Sequence, residues 1–595
     1  MTPSPSLSPT PRFTESNRAP SDAPTAPTPR AGEPSAGVDQ RIREFIHDCA
    51  SRSNGGDLPA IVLQGQGYHT CVPNGTLVHR TRDALDYALA LLAEGGTDSV
   101  ARALRIIPRV LELQDREPCN RTFGIWPYFF EEPLGAMRPP DWNWADFIGV
   151  RLAHILGPYA HHLPADLRAA ARAALGNAAL SIFRRNIGPD YTNIAVKGGV
   201  VAIMAAEQTD QPFLLRYGRQ RLARFLEHTR QNGGFTEYNS PPYGAIVVLE
   251  VERGLLLIKD TEARASLLAI HEQCWRGMAN SLHLPTGQLC GPHARAYDSA
   301  LNAVQTELLS AELGHELFAP AGLPPAYERG RDVINLLIIP RIPCPEPIRR
   351  AILDAAPTRL VRQDYVRSTD PEVRRQGTMW FDGDLCLGSV NVENLWQQRR
   401  PLVAYWKNGD TVAMLRVRLL QKGRDFASGV LRSSQAGPDA LAVCSLVTNK
   451  GDSHDHLDRA ADGIFQVEQL ALSIELSAPD AQVRADAAGG FTLQAGGRTV
   501  AVRPLHAEFG GHEVAWTSAR DDHGASVRAI IAGGAPLALD PLALRNVAIA
   551  FQLSLDAHAC PTARVELGDD TISIRADSVH GDLSLTAPRH PVPLR

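Results

Sequence analysis

Lysine is scarce in this sequence: 595 residues contain five, at positions 197, 259, 407, 422 and 450. Arginine therefore carries nearly all the positive charge, and 60 basic against 65 acidic residues leave a net charge of -5. A nucleic-acid binder should present a basic face, and this balance does not supply one. Long apolar runs are missing too, so no stretch reads as a membrane span. The nine cysteines, at 49, 71, 119, 274, 290, 344, 386, 444 and 560, are odd in number and include no CxxC pair. They give neither a disulfide framework nor zinc-ribbon spacing, and reduced thiols are expected. There is no Walker loop and no GxGxxG between a strand and a helix, which leaves nucleotide-driven chemistry without support.

The start of the chain lacks the basic n-region and apolar core of a signal peptide. Met1 to about Gly37 is rich in Pro, Ser, Thr and Ala, so residues 1–37 read as a disordered tail. A cytoplasmic location is the expectation, with secretion or periplasmic export the alternative if the start is misassigned.

What is present describes an ordinary globular chain, 44% hydrophobic and 21% charged, long enough for two or three domains. From 38 to 355 the apolar residues recur three and four apart, as in Arg82 to Glu94 and Ser99 to Gln114. Further helices are expected at Trp142–Leu156, Ala165–Phe183, Ile194–Glu207, Phe213–Thr229, Tyr243–Ile258 and Glu262–Leu282. Short connections make neighbours antiparallel, and so many pairs imply an incomplete α/α toroid. Prolines cluster at 340, 343, 345, 347 and 357. Beyond them the segments are short and partly alternating, such as Leu470 to Leu476 and Thr571 to Arg575, with turn signals such as Asn408-Gly409-Asp410 between them. Residues 356–595 read as an antiparallel β-sandwich.

Three polar clusters stand out. Gly233-Gly234-Phe235-Thr236-Glu237-Tyr238-Asn239-Ser240-Pro241-Pro242-Tyr243 joins two helices. The two prolines suit a first helical turn, which puts Tyr243 in the opening turn of the next helix. Its bland alternative is a pair of tyrosines, Tyr238 and Tyr243, satisfying backbone at a helix junction. The second cluster, Gly291 to Asp298, carries His293, Arg295 and Tyr297 at alternate positions, on one side of the chain if the segment is extended. The third, Asp452 to Asp458, carries His454, His456 and Asp458. His456 and Asp458 form part of a set that suits a divalent metal such as Zn, Mn or Ca, with a histidine reaching a helical cleft and a solvated loop as alternatives. Asn193 precedes another helix and reads as a helix cap or a polar ligand. Trp126 and Trp142 lie in an aromatic and acidic stretch that suits either stacking on sugar rings or core packing.

Tyrosine, histidine, arginine and asparagine converging on one cleft suit β-elimination from a uronic acid. One group neutralises the sugar carboxylate, a base takes the C5 proton, and an acid protonates the leaving C4 oxygen. The domain order over roughly 40 to 590, with Asn193, the Gly234 to Tyr243 loop, His454-Asp455-His456 and the Leu387 to Pro401 stretch, resembles the heparinase II/III and alginate-lyase type of polysaccharide lyase. The resemblance implies an α/α toroid followed by a sandwich, with the active site between them. It implies Asn193 as carboxylate neutraliser, Tyr243 or Tyr238 as acid or base, and His293 and His454 as assisting histidines. Arg295, Tyr297, Glu237, Asn239, Trp126 and Trp142 would bind substrate. Members often carry histidine directly after the asparagine, where this chain has Ile194. The expected partner is an acidic polysaccharide or oligosaccharide, with no nucleic acid or membrane and no required cofactor. A toroid glycoside hydrolase would instead need two carboxylates spanning the bond, drawn from Glu131, Glu132, Asp141, Asp146 and Glu237. A non-catalytic sugar-binding protein is the third class.

Overall fold

The computed structural model describes residues 36–53, 55–64, 69–314, 333–395, 398–451, 460–557 and 560–595. Twelve α-helices occur among them before the long strands begin: α1 (Ala36–Ser51), α2 (Thr81–Glu94), α3 (Thr97–Glu112), α4 (Asn143–Leu156), α5 (Ala165–Arg185), α6 (Thr192–Thr209), α7 (Pro212–Asn232), α8 (Pro241–Leu257), α9 (Thr261–Ser281), α10 (Ala303–Leu313), α11 (Val333–Ile338) and α12 (Glu346–Leu353).

The helices pair as hairpins, α2 with α3, α4 with α5, α6 with α7 and α8 with α9. The first members α2, α4, α6 and α8 also pack side by side in that order, and α10 continues the row. The second members α3, α5, α7 and α9 form an outer row. Two concentric rows of antiparallel hairpins are the arc of an α/α toroid. Composition assigns each helix to its row. In α6, Thr192 through Ala206 are all buried, as an apolar helix without a polar face requires. In α3 only one stripe is buried, Ala103, Ile106, Ile107, Val110 and Leu111.

The inner row holds charges that satisfy one another. Arg151 grips Asp86 through two contacts of 2.7 and 2.8 Å, and Glu250 takes Lys197 at 2.7 Å and Arg253 at 3.0 Å. Burial alone would raise Glu250, but the two cations outweigh it and hold its carboxyl at about 2.

The remaining strands are antiparallel. One large sheet runs in the order Ala515–Asp521, Gly524–Ile530, Leu470–Ser477, Thr411–Gln421, Leu402–Asn408, Leu385–Val390, Arg375–Asp382, Thr358–Val366. The facing sheet runs Gly429–Ala436, Asp439–Leu446, Val547–Leu555, Arg498–Phe509, Phe491–Ala495, Gln482–Ala485. Leu387, Leu415 and Ile474 of the first meet Phe491, Val502 and Phe551 of the second in one core. A three-stranded sheet (563–567, 571–578 and 581–588) covers the back of the second sheet with Ile572, Ile574 and Ala576. Their alternation with exposed residues is the period-two signature of a half-buried strand.

The segment after α9 joins the two halves. His293 and Arg400 exchange backbone hydrogen bonds of 2.9 and 2.7 Å, and Ala296 N donates to Gln398 O at 2.5 Å. On the other side, Ala294 N donates to Tyr238 O at 3.0 Å. Gly291 lies so close to Gly388 that a Cβ at Gly388 would fall on the Gly291 carbonyl. Glycine is required there by the close approach of two backbones.

Candidate active site

The N-terminal ends of α4, α6 and α8 meet near this junction. Ser240 caps α8, its hydroxyl accepting from Tyr243 N at 3.2 Å, and Pro241 and Pro242 fill the first turn. Tyr243 is thereby fixed in that turn, half-buried. Gly233, at φ 88°, ends α7 and starts the loop that carries Glu237. Asn193 is the second residue of α6, inside the helix, so it does not cap it. Tyr191 occupies the capping position without a side-chain cap bond.

Arg295 is the hub. Its Nε donates to Glu237 Oε1 at 3.1 Å, and its Nη2 donates to the hydroxyls of Tyr191 at 3.2 Å and Tyr243 at 3.3 Å. The guanidinium carbon lies 5.1 Å from the Tyr191 ring centroid and 5.2 Å from that of Tyr243, so the cation sits against both rings. Glu237 Oε2 accepts from Asn193 N at 3.1 Å and Asn193 Nδ2 at 3.0 Å. Burial raises the Glu237 carboxyl above its ordinary value, with Arg295 and Asn193 opposing the rise. Asn193 Oδ1 is buried and has no partner among the described residues.

A second line reaches the same place. Arg185 Nη1 donates to Asn143 Oδ1 at 2.6 Å, and Asn143 Nδ2 donates to the Tyr191 hydroxyl at 3.4 Å. Asp141 accepts from Asn143 N at 2.9 Å and from the Tyr128 hydroxyl at 2.7 Å. The Tyr297 ring lies 6.0 Å from that of Tyr243, and Tyr297 is half-buried. Burial pushes Tyr191 up to about 12 against the pull of Arg295. Burial, reinforced by Tyr297, sets Tyr243 well above its ordinary value, again with Arg295 opposing.

Residues 64–314, which span this cluster, match a family described as a domain of unknown function, DUF8769. No curated protein matches the chain. Among solved structures it is similar to the chondroitin AC lyase of Streptomyces coelicolor A3 in complex with chondroitin sulphate. That pair shares 12% identity over 93% of this chain and 85% of the other, with a TM-score of 0.44. It is also similar to a heparinase III, at 10% identity over 93% of this chain and 90% of that one, with a TM-score of 0.36.

The structure brings together Asn193, Glu237, Tyr243, Arg295 and Tyr297, and it sends other expected site residues elsewhere. His293 is buried, with Nδ1 against Asn239 O at 2.6 Å and Nε2 against the Tyr405 hydroxyl at 3.0 Å. Both ring nitrogens therefore tie the helical loop to the sandwich. Burial, with Arg400 acting the same way, pushes the imidazole down to about 3. The one-sided alternation expected for His293, Arg295 and Tyr297 fails because Arg295 takes a left-handed φ of 57°. That turn points Arg295 towards the helices and leaves His293 facing the sandwich.

Tyr238 is buried and stacks on Tyr365, 4.0 Å between centroids, away from Arg295. Asn239 Nδ2 donates to the Tyr365 hydroxyl at 2.8 Å and so serves the same junction. Trp126 is fully buried in the helical core, its Nε1 donating to Val110 O at 2.9 Å, and offers no face to a sugar. Trp142 is half-buried, with Nε1 donating to Arg121 O at 2.9 Å. His454, His456 and Asp458 lie outside the described residues. Among the described residues no group of three or more His, Cys, Asp or Glu side chains could hold a metal ion, and no helix is long and apolar enough to cross a membrane.

The carboxylates that a hydrolase would need are committed to the fold. Glu131 binds His79 at 2.6 Å, and Glu132 accepts from Thr70 Oγ1 at 2.7 Å and Cys71 N at 2.6 Å. Asp146 is buried between α4 and α6, where burial lifts its carboxyl to about 7. Asp141 and Glu237 carry the hydrogen bonds already given. Tyr191, Asn143 and Arg185 escaped the sequence reading. The available signal was the Asp190-Tyr191-Thr192-Asn193 run, a second tyrosine at a helix start, as Tyr243 is.

Proposed function

We propose that this chain is a carbon–oxygen lyase that cleaves a uronic-acid-containing glycan by β-elimination. The observation that carries the reading is the pair of contacts from Arg295 Nη2 to the phenols of Tyr191 and Tyr243, with the guanidinium held from behind by Glu237. Elimination needs a cation near the sugar carboxylate, so that negative charge developing at C5 is stabilised, and hydroxyl groups that take and give protons. Arg295 supplies the charge and Tyr243 the proton-transfer group.

Asn193 enters this scheme in a changed role. Its backbone N–H and its amide both serve Glu237, so it aligns the Glu237–Arg295 pair, and neutralisation of the sugar carboxylate falls to the guanidinium. The reaction so written moves only protons and one C–O bond, and it requires no cofactor. Support over the hydrolase reading comes from Glu131, Glu132, Asp141 and Glu237, each engaged by neighbouring donors, and from Asp146, which is buried between helices.

The test is ultraviolet absorbance of the 4,5-unsaturated uronate, measured on alginate, glycosaminoglycans, glucuronan and rhamnose-containing uronans. Rising absorbance with one of them is expected. New reducing ends without absorbance would replace this reading with hydrolysis, and silence in both assays would leave a binding protein.

A further inference from the structure

The two phenols that share Arg295 Nη2 are not equivalent. The Tyr191 oxygen accepts two hydrogen bonds, from Arg295 Nη2 at 3.2 Å and from Asn143 Nδ2 at 3.4 Å. Asn143 is itself polarised by Arg185, whose Nη1 lies 2.6 Å from its carbonyl oxygen. The Tyr243 oxygen accepts from Arg295 Nη2 at 3.3 Å, and its ring has the Tyr297 ring beside it. Hydrogen bonds donated to an oxygen favour its ionised form. Both tyrosines are half-buried, so each keeps part of its surface accessible.

Resting on the elimination reading, we propose that Tyr191 is the base that removes the C5 proton and Tyr243 the acid that protonates the leaving C4 oxygen, the two working across the Arg295 guanidinium. In the step the C5–H bond breaks and its proton goes to the Tyr191 phenolate. The electron pair left at C5 forms the C4–C5 double bond as the C4–O bond breaks. The departing oxygen takes the proton of the Tyr243 hydroxyl. No oxidant or second substrate enters. The two phenols end with exchanged protonation states, and proton exchange with water restores them.

The surroundings favour this order of ionisation. The charged and titratable groups facing Tyr191 are Arg295, Glu237, Asp141 and Tyr297; those facing Tyr243 are Arg295, Tyr297, Tyr191 and Glu237. Burial raises both, Tyr191 to about 12 and Tyr243 well beyond its ordinary range. The second hydrogen bond donated to the Tyr191 oxygen makes it the phenol that ionises more readily, and because burial raises both, the rate climbs towards alkaline pH.

The experiment compares wild type with Tyr191→Phe and Tyr243→Phe, each shown by its unfolding midpoint to be folded. Two substrates are used: the glycan found active in the absorbance panel, and a uronate carrying a nitrophenyl ether at C4. The nitrophenolate leaves without a proton, so general acid help is not needed. Tyr243→Phe should lose about 10²–10⁴-fold in kcat on the glycan and recover most of it on the aryl ether. Tyr191→Phe should lose a comparable factor on both substrates and lose the alkaline rise of the pH profile. Wild-type kcat and pH profile in Tyr191→Phe would overturn the Tyr191 assignment and leave the lyase reading standing. Rescue of Tyr191→Phe by the aryl ether would reverse the two roles. A wild-type protein that forms no unsaturated product from any glycan or from the aryl ether would overturn the elimination reading and this one with it.

Discussion

Asn193 directs its backbone N–H and its side-chain amide at a single oxygen of Glu237, 3.1 and 3.0 Å away, while Arg295 Nε holds the other oxygen at 3.1 Å. The carboxylate is thus bound by three donors inside the protein, in the manner expected for a carboxylate ligand.

Glu237→Gln tests that arrangement. The substitution keeps the shape, removes the negative partner of a buried guanidinium and turns one acceptor into a donor. Breaking a buried pair on one side costs about 3–5 kcal/mol. Equilibrium urea unfolding should show a loss of that size, together with loss of elimination activity. A variant as stable as wild type would mean that Arg295 finds another partner.

Asp146→Asn should change the pH dependence of stability. The native carboxyl is raised from 3.8 to about 7, so between those values the folded state holds a proton that the unfolded chain has released. Stability of the wild type relative to the variant should therefore fall by about 1.4 kcal/mol per pH unit as pH rises from about 4 to about 7, and level off above. Denaturation midpoints of both proteins at pH 4.5, 6 and 8 measure it. Parallel curves would show that Asp146 ionises in the native state as it does in the unfolded chain.

The fold and the core of this cluster were legible because they follow from local rules. The change from three-and-four spacing to alternation is visible on either side of the proline cluster, and Pro241-Pro242 can only open a helix, which fixes Tyr243. The positive φ at Arg295 was not legible, since it depends on the pairing of Ala294 with Tyr238 on one side and of His293 with Arg400 on the other. Without it, alternation put His293 and Arg295 on the same side. Tyr191 carries no separate signal, because Asn193, two residues on, is a sufficient reason for the local sequence. Trp126 stays open between two readings for a related reason: an aromatic beside polar residues has the same sequence signature whether it faces sugar or the helical core, and the structure decides for the core.

His293→Gln should show the opposite pH trend to Asp146→Asn. The imidazole is held neutral in the fold, pushed from 6.5 down to about 3, whereas the unfolded chain binds the proton below 6.5. At pH 7 the variant should be less stable by about 1–3 kcal/mol, the consequence of disturbing buried hydrogen bonds. That gap should close by about 1.4 kcal/mol per unit as pH falls below 6.5, and the variant should become the more stable of the two before pH reaches about 4. A constant gap across this range would place the charged imidazole in the native state.

Gly388→Ala should be among the most damaging single changes in the chain. The added methyl would meet the Gly291 carbonyl, backbone against backbone, with no flexible side chain to move aside. A loss beyond about 4 kcal/mol, or failure to accumulate as soluble protein, is expected. Gly383→Ala, at a turn where a Cβ would meet nothing within 4 Å, is the control and should be milder.

The stretch from Gly291 to Ser299 belongs to two structures at once. It pairs with the sandwich through His293 and Arg400, and it delivers Arg295 to the ends of α4, α6 and α8. The two halves are for that reason poor candidates for recombination. A helical half grafted onto a foreign sandwich would keep Tyr191, Asn193 and Tyr243 on its own helices. It would lose the backbone partner that aims the guanidinium between them. Inheritance of this site should follow the whole chain, with the sandwich surface next to Arg400 drifting no faster than the loop it holds.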